Sequence, residues 1–470
     1  MKKAHKAAAI FLIALMIVSV FSGCGGDADS SSQIGSEAES SREAVSAAAE
    51  TESSAVDAGE EDAEPVTVHY YTWEAQEEDN PIWEEILAEL NINVEIHTLV
   101  DDGSVNKETQ LDIIQSSGAD LDLRIINEAN ASTRIKQGFA EPLNELVEAN
   151  DVDMEGIFGQ FLKSVTYDDK YYGIPVRANM QMFFYNKDIF DAANEPYPED
   201  GWSWDECMDT ARRLTKGEGA DKVFGFAING ATQSFADQAI VGGATWYTED
   251  NKCNISDPLF RTALTSMVEM DADGIKPTYV SMRSRNSYIS VEFLTGNVAI
   301  AAGQSYMIRD MKDKENFPFD FEVGVVYPPV MNEGDSPKSL GYTAPFVAIS
   351  PNSKNKEAAF KAMIYYMEHG ADYITSFSIP PVKDPTEQTM RALLENTPLT
   401  EEDVRRFFDS ENTLNRAGIP GGPAVTEYTQ AVNEEIDLCL TGAQDVDTTL
   451  KNIEQRATEA IEAEAAEEAQ

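Results

Sequence analysis

Basic side chains are scarce: 35 Lys and Arg stand against 83 Asp and Glu in a chain of 470 residues, leaving a formal charge of −48. The few cations are scattered singly, so the massed footprint that releases counterions from a nucleic acid is missing, and nucleic-acid binding is set aside. Cysteine and histidine are rarer still, four of each. None of them stands in a CxxC, HxxxH or HExxH spacing, so zinc chemistry has no local signal and neither a metal nor a cofactor is expected. Cys207, Cys253 and Cys439 permit at most one intramolecular disulfide, too few to staple a fold. The phosphate-loop and dinucleotide fingerprints are missing as well.

The N-terminus is an address. Lys2, Lys3, His5 and Lys6 form a basic segment, and the apolar run from Ala7 to Phe21 is short for a membrane span, which together predict a signal peptide over residues 1–23. Phe21-Ser22-Gly23-Cys24 resembles a bacterial lipobox, which implies lipidation of Cys24; Phe21 departs from the leucine usual there. Residues 24–64 are almost wholly Ser, Ala, Gly, Asp and Glu, without an aromatic residue, and are expected to form a disordered, extended spacer. Two acyl chains would anchor such a protein stably at the outer membrane face.

From Pro65 onward the composition is that of a globular protein, with 42% hydrophobic and 9% aromatic residues over the whole chain, and the length favours two or more domains. Val66 to Tyr71 has the content of a buried strand, and Ile82, Trp83, Ile86, Leu87 and Leu90 recur at helical spacing before a second strand, Val94 to Leu99. The alternation continues as a helix over Gln110 to Ser116, a strand over Leu121 to Ile126 and a helix over Leu143 to Ala149, predicting an open α/β sheet whose ligands bind beyond the carboxyl ends of its strands. A turn at Tyr167 to Lys170 leads to a strand over Met180 to Asn186. Ser203 and Glu206 form a capping box for a helix through Leu214, with Trp204 as a structural residue. Further helices are expected at Pro258 to Met270, Lys354 to Met367, Val425 to Leu440 and Val446 to Ala465.

Two patterns imitate functional motifs. Glu269 to Gly274 opens like a calcium loop, but its twelfth position would be Val280, and a helix ended by Gly274 accounts for the residues. Gly303 to Met307 starts like a nucleophile elbow but lacks the closing glycine.

The stretches YDDKYYGIPV from Tyr167 to Val176, FYNKDIF from Phe184 to Phe190, WDE from Trp204 to Glu206, FLTGNVAI from Phe293 to Ile300, FDFEVG from Phe319 to Gly324 with Pro328-Pro329, and SKNKEAA from Ser353 to Ala359 follow one another in an order and spacing that resembles the family 1 extracellular solute-binding proteins, relatives of maltose-binding protein. The likeness spans nearly everything after Pro65. It implies a two-lobed α/β fold of the type II periplasmic-binding-protein class, with a ligand held between the lobes and delivered to the permease subunits of an ABC importer. By similarity the chain crosses between lobes near Val176 to Met180, Tyr342 to Val347 and Ile379 to Val382. One lobe then comprises residues 65–177 with 346–378, and the other 178–345 with 379–470. A monomer is the family expectation.

Family members grip sugars with aromatic faces, carboxylates and amides, so aromatic and polar residues just beyond strands are the candidates. Trp73 and Glu74 follow the first strand directly, although a ring at Trp73 equally fits a core cap. Asn127 and Glu128 follow the strand that ends at Ile126, where Asn127 also suits a helix cap. Arg177, at the first crossing, fits either a ligand contact or a structural pair between lobes. Gln304 and Tyr306 stand where relatives have a glycine-rich turn and a stacking tryptophan, so the tyrosine is a departure. Tyr342 replaces a glycine common at the second crossing, and Trp246, beside Tyr247, suits core packing as well as ligand contact. Arg283 and Arg285 fit solvated loop positions or an acidic sugar. The ligand expected is a carbohydrate, an oligosaccharide above others. A polyamine, a peptide or another small solute is the alternative within the class, and a surface-anchored glycoside hydrolase or a sensory co-receptor stands outside it.

Overall fold

The computed structural model describes residues 64–468, apart from 101–105, 231–233, 333, 344, 377 and 416–421. Cys24, the signal segment and the spacer lie outside the described residues. Among the described residues thirteen strands build two principal sheets and one small hairpin. In chain order they are β1 (Val66–Thr72), β2 (Ile92–Thr98), β3 (Leu123–Ile126), β4 (Thr166–Tyr167), β5 (Lys170–Tyr171), β6 (Ile174–Pro175), β7 (Ala178–Asn186), β8 (Phe224–Ile228), β9 (Val298–Gln304), β10 (Val323–Val326), β11 (Ser339–Thr343), β12 (Phe346–Ile349) and β13 (Thr413–Asn415).

The first sheet has the order β2-β1-β3-β12-β6. Strands β1, β2 and β3 run parallel because helices Ile82–Leu90 and Lys107–Ser116 intervene, and β12 returns antiparallel to β3. Helix starts are set by local chemistry: Lys107–Ser116 begins earlier than hydrophobic spacing predicts because the Asn106 side chain accepts from the Thr109 N–H at 3.0 Å. Val68, Ile86, Leu111, Leu123, Ile125, Val347, Phe360 and Met363 close its core.

The second sheet is organised around β7, whose length of nine residues is buried almost throughout. Its start pairs with β11, its middle with β9 and its end with β10, which explains why the strand begins at Ala178 rather than Met180. Helix Trp204–Leu214 carries the predicted capping box, with Ser203 accepting from Glu206 N–H at 3.2 Å and the Glu206 carboxylate accepting from Ser203 N–H at 2.8 Å. Trp204 is buried and donates to Ser266 Oγ at 3.1 Å. Helices Val425–Leu440 and Val446–Glu468 bring Tyr428, Val432, Ile436, Leu450 and Ile453 onto the same core as Phe183, Phe226 and Phe260.

The Tyr167 to Val176 stretch owes its residues to two tight places. Asp168 and Asp169 both adopt left-handed φ, 49° and 59°, in the two-residue turn between β4 and β5. Gly173 lies so close to Phe346 that a Cβ there would come within 2.2 Å of the ring. From this point the chain passes from β6 in the first sheet to β7 in the second, and it returns from β11 to β12. A third passage runs beside them, where Ala178 N–H donates to the Ile379 carbonyl at 2.9 Å.

Both imitative motifs are structural. The helix Pro258–Ala272 is followed by Gly274 at φ 65°, and Asp271 pairs with Lys276. Ser305 is buried and its hydroxyl donates to the Ala178 carbonyl at 3.3 Å. Cys207, Cys253 and Cys439 are all free. Among the described residues no helix is long and apolar enough to cross a membrane.

Candidate functional site

Parallel strands end on one side of a sheet, so the residues following β1 and β3 gather at a common rim. Facing them are the start of β7, the residue after β8 and the turn after β9. Between these elements lies an open cavity of about 460 Å³ lined by Glu74, Gln76, Arg177, Asn179, Tyr306 and Arg309, together with Asn229, Tyr288 and Ser378. A second cavity of about 250 Å³ adjoins Trp73, between Asn106, Lys107, Glu108 and Asn127.

Arg177 is the electrostatic centre. It is 6% exposed and bonds Glu74 at 2.8 Å and Glu77 at 3.2 Å. Burial alone would lower its proton affinity, but Glu74 and Glu77 together raise it, so the guanidinium is held charged. Burial likewise pushes the Glu77 carboxyl up, opposed by Arg177, Asn80 and Tyr366. The two ligand candidates Glu74 and Arg177 thus meet each other first, and each keeps an edge on the cavity. Gln76 donates to the other Glu74 oxygen at 2.8 Å.

Aromatic and amide groups make the opposite wall. Tyr306 and Tyr288 stand with ring centroids 6.3 Å apart at 55°, and Arg309 lies over the Tyr306 ring at 5.8 Å. Asn229 donates to Tyr306 Oη at 3.1 Å while its oxygen accepts from Ile289 N–H at 3.1 Å, which fixes both the amide and the ring. These side chains can bond hydroxyls and cover apolar faces of a solute.

The remaining candidates divide. Trp73 and Asn127 line the smaller cavity; Trp73 also packs on the first core, and Asn127 makes no side-chain cap bond although it precedes helix Glu128–Lys136. Glu128 lines neither cavity: burial raises its carboxyl to about 8, and its Oε2 is buried without a hydrogen-bond partner. Gln304 ends β9 opposite Gln181. The Tyr342 backbone pairs with Asn179, and its side chain lies outside the described residues. Trp246 is corrected outright: it is 2% exposed and packed between Phe235, Phe260 and Tyr428, with ring centroids 4.8 Å from Phe260, so it is a core residue out of reach of a ligand. Arg283 pairs with Asp437 and Arg285 with Glu292 at 2.8 Å, the solvated reading of both.

Sequence reasoning missed Gln76, Asn179, Asn229, Tyr288, Arg309 and Ser378. Asn229 follows β8 directly and meets the criterion that selected Trp73; recognising Phe224–Ile228 as a strand would have found it. Tyr288 precedes a short helix, and nothing in its neighbourhood marks it.

Two α/β lobes that face each other across an open polar and aromatic cavity define a binding protein of the cleft type. The sequence profile of the bacterial extracellular solute-binding proteins matches residues 74–373, and the chain belongs to that family. A Brucella abortus protein whose name assigns it a binding role is 26% identical over 257 residues, which cover 54% of this chain and 60% of that protein. The match thus spans less than two thirds of the curated relative's length. In fold, the chain is similar to a sugar transporter protein of Rhizobium etli in an open conformation, with a TM-score of 0.70 at 20% identity over 85% of this chain and 99% of the other. An ABC substrate-binding protein of Listeria monocytogenes in complex with cycloalternan gives 0.68 at 21% identity over 84% and 98%. The sugar-binding protein MalE of Xanthomonas citri gives 0.68 at 17% identity over 86% and 100%.

Proposed function

We propose that the protein is a membrane-anchored extracytoplasmic receptor of an ABC importer, which takes a carbohydrate, an oligosaccharide above others, into the cleft between its lobes and closes on it by hinge motion. The lobes divide as residues 65–177 with 346–378 and residues 178–345 with 379–470. Cys24 carries the lipid, residues 24–64 hold the body clear of the membrane, and permease subunits receive the ligand from the monomeric receptor. No bond in the ligand is broken.

The observation that carries this reading is the division of chemistry around the cavity of about 460 Å³, a size ordinary for small-molecule sites. Tyr288 and Tyr306 offer ring faces suited to the C–H face of a pyranose, while Asn179, Asn229, Gln76 and the Glu74–Arg177 pair offer partners for its hydroxyls. Similarity in fold to proteins named for sugars supports the class of ligand. Three adjacent chain passages, through Arg177, Thr343 and Ile379, support a hinge.

A thermal-shift screen of the protein against sugars and oligosaccharides, with polyamines, peptides and organic acids as contrasts and reaction products followed in parallel, tests the proposal. A ligand that binds only the native state raises the Tm by mass action. A saturable shift with one saccharide class and no product is expected. Cleavage of the saccharide would make the protein a hydrolase, and a shift with polyamine alone would keep the fold and overturn the sugar.

A further inference from the structure

Two of the chain's four histidines meet at the free edge of the first sheet. The parallel register sets His69 of β1 opposite Glu95 of β2 and Tyr71 opposite His97. Since side chains alternate along a strand, Glu95 and His97 share one face of β2, and His69 and Tyr71 share one face of β1. His69 Nδ1 lies 3.0 Å from His97 Nε2 and 3.4 Å from a Glu95 oxygen, and the three donor atoms all fall within 4.8 Å of one another.

The two spacings from His69 fit one ion, and a small rotation of the exposed Glu95 side chain brings the third ligand to it. Nitrogen and oxygen ligands bind Zn²⁺ at about 2.0–2.2 Å, so two ligand atoms on a common ion stand about 3 Å apart. Tyr71 stacks on the His97 ring at 4.3 Å and 17° and orients it, while the Asp122 carboxylate accepts from the His69 backbone N–H at 2.9 Å and so holds the strand that carries His69. The trio is within reach of solvent, with the His69 side chain 26% and the Glu95 side chain 51% exposed. None of its members lines the cavities described above.

We propose that His69, Glu95 and His97 form a binding site for a single divalent transition-metal ion of the zinc or copper type at the β1–β2 edge. Two imidazoles and one carboxylate suit such ions, whereas Mg²⁺ and Ca²⁺ favour shells of oxygen. Water completes the coordination of a three-ligand site. The ion ties the edge strand to its neighbour, so its binding raises the Tm. The local spacings that announce zinc sites in sequence do not apply, because the ligands come from two strands brought together by register.

The full chain, stripped with chelator, is titrated with Zn²⁺ in an excess of Mg²⁺ and Ca²⁺, which occupy the acidic surface. One saturable site is expected, weakened at least about tenfold by His69→Gln and by His97→Gln and also weakened by Glu95→Gln, with His369→Gln unchanged. Bound Cu²⁺ is expected to show coupling to two imidazole nitrogens in its electron paramagnetic resonance spectrum, reduced to one in either histidine variant. Glu95 is exposed enough that its variant folds if the histidine variants do not. Equal Zn²⁺ affinity in the wild type and the Glu95 and histidine variants, displacement by Mg²⁺ or Ca²⁺, or no saturable binding would overturn the site.

Discussion

The two walls of the cavity are made from different materials. On the first-sheet side the groups are charged and already committed: Glu74 and Glu77 hold Arg177, whose guanidinium offsets one of the two carboxylates before a solute arrives. On the second-sheet side they are mostly rings and amides, Tyr288, Tyr306, Asn179 and Asn229, held by short-range bonds such as that from Asn229 to Tyr306, with the Arg309 guanidinium, paired to Asp310, beside them. The contrast teaches that the charged groups of a site can be committed to one another before a solute arrives. Glu74 and Glu77 are spent on holding Arg177, and the rings and amides of the other wall are left to meet a solute.

That contrast can be broken most forcefully at Arg177. Arg177→Met leaves two carboxylates next to each other without their cation, and removing one partner of a buried ion pair costs about 3–5 kcal/mol. Urea unfolding at neutral pH is the measurement, and a loss below about 1 kcal/mol, the range of an exposed pair, would mean that the clamp is not a structural element.

A second test sharpens the same comparison through Glu128, a buried acidic group of the first-sheet side whose Oε2 has no hydrogen-bond partner. Burial raises its pKa from 4.5 to about 8, so the folded state keeps a proton that the unfolded chain releases. Its contribution to folding is complete below about pH 4.5 and is lost as the pH rises to about 8. Glu128→Gln is neutral throughout, so the variant is expected to fall in stability less than the wild type between about pH 5 and about pH 8, by about 2 kcal/mol or more. Parallel pH profiles for the two proteins would show that the carboxyl is already ionised in the fold.

The smallest effect is expected on the opposite wall, and there on binding alone. Tyr306→Ala is predicted to weaken the saccharide that emerges from the screen by at least about tenfold, or about 1.4 kcal/mol, with little loss of stability. Trp246→Ala supplies the converse, unfolding at about 3–5 kcal/mol lower cost while the remaining folded protein keeps its affinity. If Trp246→Ala weakened the saccharide as much as Tyr306→Ala did, the separation of core ring from ligand ring would be wrong.

Legibility followed sequence distance. The first sheet begins as strand, helix and strand within Val66 to Thr98, so period and capping residues nearly coincide with the observed ends. Trp73 and Asn127 were reachable because each follows such a strand. In the second sheet β7 takes partners near residues 300, 324 and 341, and no local pattern marks which strand lies beside it. Asn229 escaped because the strand before it, Phe224–Ile228, was not recognised, Tyr288 because nothing beside it marks it, and Trp246 reads toward the ligand because an aromatic beside glycines reads alike in a core and in a cleft.

By itself the sequence determined the α/β class, the capping box at Ser203 and Glu206, the turn at Asp168 and Asp169, and the family likeness, because each rests on local residue patterns. Only the tertiary structure decided that Glu74 and Arg177 neutralise each other, that Trp246 is core, that Tyr288 joins Tyr306, and that His69 meets His97. Those outcomes depend on strand register and on the packing of distant segments, and a residue's neighbours across a sheet are not written beside it in the chain.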